Sequence, residues 1–209
     1  MINQPETEFP KTVYVVLSCS RSILSCGISA IMGDRFTHSA LALDIKLEYM
    51  FSFGRRRPFN PFIGCFKREC LDKDFYAKQR ILPGIILAVP VSEEQYAGIT
   101  SDIWQFLLNG HTYTYNVWGM FKVALGLNQK TYEKKFFCSE FVYHILQKNG
   151  VCDFGLSRAV IRPQNLMNIP EPANKIFEGN LLDYINSEKI PLSIIRRDTS
   201  GENLKEIFP

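Results

Sequence analysis

Cys138 stands third in the segment Phe136–Asn149, FFCSEFVYHILQKN. Phe141, Val142, Ile145 and Leu146 recur at helical spacing and form one apolar stripe. Glu140, His144, Gln147 and Lys148 form an opposing polar stripe, and Cys138 falls on the apolar side. The spacing therefore predicts a helix whose first turn carries an inward-facing thiol. Unpaired N–H groups at a helix N-terminus favour a thiolate and can stabilise an oxyanion. A nucleophile for acyl transfer is the chemistry this position offers. The plainer reading of a buried cysteine is a small hydrophobe.

A nucleophilic thiol needs a base, and the chain has three histidines. His144 sits on the polar stripe and is expected to be a solvated partner of Glu140. His111 follows Asn109-Gly110 in a surface turn. His38 opens the alternating run HSALALD and shares its face with Ala40, Ala42 and Asp44. Small residues on that face would let a helix come close, as a helix delivering Cys138 to His38 requires.

The elements that must position the pair are readable along the chain. Thr12–Ser18 is a buried strand, and Ser20–Met32 has helical spacing. His38–Asp44 and Lys46–Phe53 alternate as a strand hairpin. Segment 54–80, which contains GRRRPFNPFIG and has eight basic against three acidic residues, reads as an irregular basic loop excursion. A strand follows within Ile81–Val91. Ser92-Glu93-Glu94-Gln95 is a capping box opening a helix to about Leu108. Tyr113 to Leu127 reads as a short helix over the core. Residues 1–10 form a polar lead-in and 164–209 a C-terminal extension.

Composition narrows the function classes. The 209 residues are 46% hydrophobic and 22% charged, with net charge +3. That is one globular α+β domain, not a disordered chain, and no charge excess calls for nucleic acid. No apolar run reaches the roughly 20 residues of a membrane span, and no signal peptide is visible, so a cytoplasmic setting is expected. The six cysteines then read as reduced thiols. Cys65-x4-Cys70 and Cys19-x6-Cys26 lack the spacing of zinc sites, so no metal and no organic cofactor is expected.

Two motifs carry a family resemblance. THSALALD (Thr37–Asp44), followed by FFCSEFV (Phe136–Val142), resembles the circularly permuted NlpC-type branch of the papain-like cysteine hydrolases. YiiX-like proteins and the lecithin:retinol acyltransferase group belong to that branch. In it the histidine strand precedes the cysteine helix, as here. The resemblance spans roughly Thr12 to Pro163. It implies a permuted papain-like core, with a mostly antiparallel sheet packed against the cysteine-bearing helix. It implies Cys138 as nucleophile and His38 as general base. It also implies a polar orienting residue on the strand after the histidine, around Met50 to Phe53. Ser52 is the polar residue there, with Asp44 and Glu48 as alternatives. A serine is a weaker orienter than the family's usual acid, amide or histidine.

Arg55 and Arg56 follow that strand and are candidates to hold an anionic substrate group. Tyr115, with Tyr113, Trp118 and Phe121, is a candidate wall of a peptide or acyl groove, although aromatics at this spacing also suit a core. The expected activity is hydrolysis of an amide or isopeptide bond. One alternative is acyl transfer or ester hydrolysis on a lipid at an anionic membrane surface. Another is a binding module whose catalytic site has decayed.

Overall fold

The computed structural model describes residues 11–19, 33–57, 60–71, 73, 76, 79–127 and 130–186. The expected helix at 20–32, the lead-in at 1–10 and the extension beyond 186 lie outside the described residues. Eight strands and four helices are described: β1 Lys11–Ser18, β2 His38–Ala42, β3 Met50–Arg57, β4 Asn60–Glu69, β5 Pro83–Val91, α1 Glu93–Leu108, β6 Thr114–Tyr115, α2 Val117–Ala124, β7 Lys135–Phe136, α3 Cys138–Lys148, β8 Asn174–Asn180 and α4 Leu181–Asn186. Six strands form one sheet in the order β4-β3-β2-β1-β5-β8, and every neighbouring pair is antiparallel. The class is α+β, as expected. No helix among the described residues is long and apolar enough to cross a membrane.

Both faces of the sheet are covered. Along β1, Val13, Val15 and Leu17 enter one core, while Tyr14 and Val16 enter another on the opposite face. Alternation in β5 repeats the split, with Ile85, Leu87 and Val89 against Ile86 and Ala88. Both long helices lie on the first face. α1 contributes Tyr96, Ile99, Ile103 and Phe106, and α3 contributes Phe141, Val142, Ile145 and Leu146. Each such side chain, taken fully out of water, contributes about 1.5–3 kcal/mol. The Ser92 capping box forms as expected: Gln95 N–H donates to Ser92 Oγ at 3.1 Å, and Ser92 N–H to Gln95 Oε1 at 2.9 Å.

Two boundaries differ from the sequence reading. The second strand begins at Met50 rather than Lys46, because Asp44 builds a turn. Its carboxylate accepts from the Glu48 and Tyr49 N–H groups, and Leu47 takes a left-handed φ of 59°. Leu47 is buried in the second core, which compensates that backbone strain. The supposed loop at 54–80 is a strand hairpin through Glu69. β3 and β4 pair from Met50–Glu69 to Arg57–Asn60, with one register shift between Arg55 and Arg57. β4 lies at the sheet edge, where Pro61 is tolerated.

Candidate active site

β1 sets the position of His38. Thr37 N–H donates to Ser18 O at 3.0 Å, and His38 pairs with Ser18 in the sheet, so the histidine starts its strand at the sheet's end. α3 packs across β2 and β3 with Phe141 against Phe53, ring centroids 5.8 Å apart. Its N-terminal turn therefore ends beside His38 and Ser39. The expected role of Ala40 and Ala42 is not what the structure shows. They belong to the second core, on the opposite face from α3. The helix packs on the Leu41 face, and Cys138 meets His38 because both stand at element ends.

Cys138 is 3% exposed and shares a hydrogen-bonding contact with the His38 imidazole. Burial alone opposes thiolate formation. The His38 hydrogen bond, the ring's charge and the Ser39 N–H outweigh burial, so the thiol titrates below its ordinary value. Burial opposes the imidazolium as well. The Glu69 carboxylate, then Cys138, overcome it and push His38 up to about 10. Both shifts favour the thiolate–imidazolium form of the pair.

Glu69 is the residue the sequence reading missed. Its Oε2 lies 3.0 Å from His38 Nε2, and Tyr76 OH donates to the same oxygen at 2.9 Å. Burial would raise this carboxyl. The His38 charge and hydrogen bond, with help from Lys67 and Tyr76, hold it down at about 2. Tyr76 titrates well above its usual value and stays a donor. Gly54 makes the room: a Cβ there would stand 2.7 Å from Glu69 Oε1. Strand alternation with the right hairpin register would have put Glu69 on the face of Ser52.

Ser52 does reach the site. Its Oγ is 3.3 Å from His38 Nε2, and it is fully buried. Glu69 faces the same nitrogen from a shorter distance and is the stronger, charged acceptor. Nε2 thus faces both Glu69 and Ser52, while the ring also contacts Cys138. Asp44 is spent on its turn, and Glu48 is exposed, with its carbonyl accepting from Arg68. Neither is placed as an orienter. Arg55 and Arg56 belong to β3, and their side chains lie outside those described.

A small open cleft lies at Cys138, lined by Asp34, Phe36, Met120, Val123, Phe137 and Arg162 among others. Arg162 Nη1 pairs with Asp34 Oδ1 at 3.1 Å on one wall. Tyr115 is not part of this lining. Its ring covers Gly64 of β4, where a Cβ would come within 2.5 Å of it, so the tyrosine packs the hairpin. Tyr113 packs on Phe106 at 4.4 Å between centroids, and Trp118 faces solvent.

Glu140 also departs from the sequence expectation. It is fully buried, 3.5 Å from Arg158 Nε, and neither carboxylate oxygen has a hydrogen bond of ordinary geometry. His144 does not pair with it; that ring is half-buried against Phe106 and Phe136. Burial pushes Glu140 up to about 7, against the pull of Arg158, the Phe137 N–H and Asn116. The folded state keeps this proton where the unfolded chain has lost it. Stability therefore falls as pH rises from about 4.5 to 7, by about 3 kcal/mol in all. His144, pushed down to about 4 by burial and then by Arg158 and Lys148, gives the opposite slope between about 4 and 6.5. Glu140→Gln retains the second slope and lacks the first. Thermal unfolding scanned from about pH 5 to 8 will give a wild-type-minus-variant difference that falls with pH. Parallel curves would show that Glu140 titrates as in the unfolded chain.

The five described cysteines, Cys19, Cys65, Cys70, Cys138 and Cys152, are unpaired thiols. Among the described residues, no group of three or more His, Cys, Asp or Glu is arranged to hold a metal ion. Compared with models of known protein families the chain matches none, and no curated protein matches it in sequence.

Proposed function

We propose that this chain is a cysteine hydrolase with a permuted papain-like core, acting through Cys138, His38 and Glu69. The observation that carries the reading is the chain of contacts from thiol to imidazole to buried carboxylate, at the head of a helix. A nucleophile, a base and a group orienting that base are what acyl transfer by a side chain needs. Phe137 supplies no side-chain cap, and the first helical bond runs from Phe141 N–H to Phe137 O. The N–H groups of the first turn remain for an oxyanion.

In the reaction, Cys138 Sγ attacks the carbonyl carbon and the oxyanion forms beside the head of α3. His38 gives its proton to the departing amine as the C–N bond breaks, leaving a thioester on Cys138. Water then attacks that thioester, with neutral His38 taking its proton. The carboxylic acid departs, and the thiolate and imidazolium are restored. Glu69 and Ser52 hold the ring, and Glu69 stabilises its charged form.

Amide or isopeptide hydrolysis is the first reading. The cleft favours a second, an ester or lipid acyl donor, because Phe36, Met120, Val123, Phe137 and Pro163 give it a largely apolar wall. Glu69 supplies the strong orienter whose apparent lack favoured a decayed binding module. A paired set of p-nitrophenyl esters and p-nitroanilides, in short and medium acyl chains, tests the reading. The expected result is an acyl mass adduct on the Cys138 peptide and turnover lost in Cys138→Ala. Hydrolysis that is the same in that variant, with no adduct, would sink it. The ratio of ester to anilide turnover separates the two substrate readings.

A further inference from the structure

Helix α2 carries apolar residues on two sides, and on one of them Trp118 and Leu125 are exposed among the described residues. Met120 and Val123 line the Cys138 cleft, and Val117 is buried. On the outer side, Trp118, Phe121 and Leu125 follow at helical spacing as one apolar stripe, with Lys122 beside them. Trp118 is 74% exposed and Leu125 59%. Trp118 and Phe121 lie against each other, centroids 6.4 Å apart and rings tilted by 49°.

The helix ends in a defined cap. Gly126 takes a left-handed φ of 66°, its N–H donates to Val123 O at 3.0 Å, and Leu127 N–H donates to Lys122 O at 2.8 Å. That is a Schellman ending, and it sets Leu127, 54% exposed, beside Leu125. A helix that is hydrophobic all round is ordinarily covered by something.

The surrounding charge says what covers it. Lys122 on the helix, and Lys130, Lys134 and Lys135 just after it in the chain, are exposed, against one acid, Glu133, between residues 122 and 135. None of the four lysines is ion-paired with a described residue. An exposed Trp and Leu set among lysines is the pattern of a surface that rests at a lipid interface, with rings at headgroup depth and lysines on anionic headgroups. We propose that the outer face of α2, with Leu125 and Leu127, docks this protein on an anionic bilayer surface. The docking stands independently of the thiol chemistry. Its consequence, that the Cys138 cleft opens at the membrane, rests on the function proposed above.

The chain's two tryptophans make a direct test, since Trp104→Phe leaves Trp118 as the sole emitter. Vesicles of mixed phosphatidylcholine and phosphatidylglycerol are expected to shift Trp118 emission to the blue, and vesicles of phosphatidylcholine alone are not. Added salt reverses the shift. Lys122→Glu with Lys130→Glu, which leaves the apolar stripe intact, is expected to weaken vesicle affinity by about tenfold or more. Leu125→Ser weakens it without altering its salt dependence. Cys138→Ala binds as wild type does, so loss of catalysis and loss of docking read out separately. No blue shift with either vesicle, or equal shifts with both, overturns the proposal. So does a blue shift without lipid that grows with protein concentration, which would assign the stripe to a second copy of the chain.

Discussion

Cys138 is expected to react with iodoacetamide at about pH 6 about tenfold or more faster than Cys19, Cys65, Cys70 or Cys152, and His38→Ala is expected to remove the advantage. An ordinary thiol near pKa 8.5 is less than about 1% ionised there. Each unit by which a thiol's pKa is lowered gives about ten times more thiolate, of which roughly a threefold net gain survives the thiolate's lower intrinsic reactivity. Cys138 gains its thiolate from His38 and the Ser39 N–H, while Cys152 is pushed up to about 11 by burial and then Asp153, so the two bracket the series. The pH profile carries the sign of the pairing. His38 holds its proton up to about 10. The wild-type labelling rate should therefore level off at lower pH than that of the other thiols and stay level to about 9, whereas a lone thiol rises tenfold per unit until its own pKa. Peptide mass spectrometry reads all the sites in one sample. A Cys138 rate that climbs with pH like its neighbours, unchanged by His38→Ala, would leave the thiol a buried hydrophobe.

The meeting of Cys138 and His38 was legible because each position rests on local pattern. The stripe Phe141, Val142, Ile145, Leu146 fixes where Cys138 stands on its helix, and HSALALD fixes the start of a strand. What was not legible depends on pairing across the sheet. Glu69 is 31 residues from His38 and meets it only because β3 and β4 fold back on each other in one register. The arginines and prolines of GRRRPFNPFIG hid that hairpin, since they disfavour a central strand and say little about an edge one. Ser52 was found because the family resemblance pointed to Met50–Phe53, where it is the polar residue. Glu140 was misplaced for a related reason. Its helix wheel position is polar, but Arg158 and Asn116 arrive from distant segments and enclose it, which no periodicity encodes. The helix also approaches by the Leu41 face rather than the alanine face. Both faces of β2 are covered, so residue size along the strand did not distinguish them.

Glu69→Gln is the substitution expected to separate an orienting carboxylate from a merely structural one. The amide keeps the shape and can still accept from Tyr76, but it does not hold the imidazolium. His38 should then lose its proton at lower pH, Cys138 should lose its thiolate partner, and kcat should fall by about 10²–10⁴ with KM little changed. Stability gives an independent sign. Glu69, held down to about 2, stabilises the fold above its unfolded value of about 4.5, and that contribution is lost as pH falls through about 2. His38 contributes below its unfolded value of 6.5 and loses that contribution as pH rises through about 10. The two describe one interaction and count once; the His38 rise is the larger because Cys138 also holds its proton. The variant should therefore be less stable near neutrality by about 3 kcal/mol, with the deficit closing in strong acid. Gly54→Ala should reproduce the kinetic loss in part without touching any charge. Its Cβ, 2.7 Å from Glu69 Oε1, pushes the carboxylate off His38. Wild-type kcat in both variants would mean that Ser52 alone suffices to hold the ring, and Glu69 would then belong to the fold rather than to the chemistry.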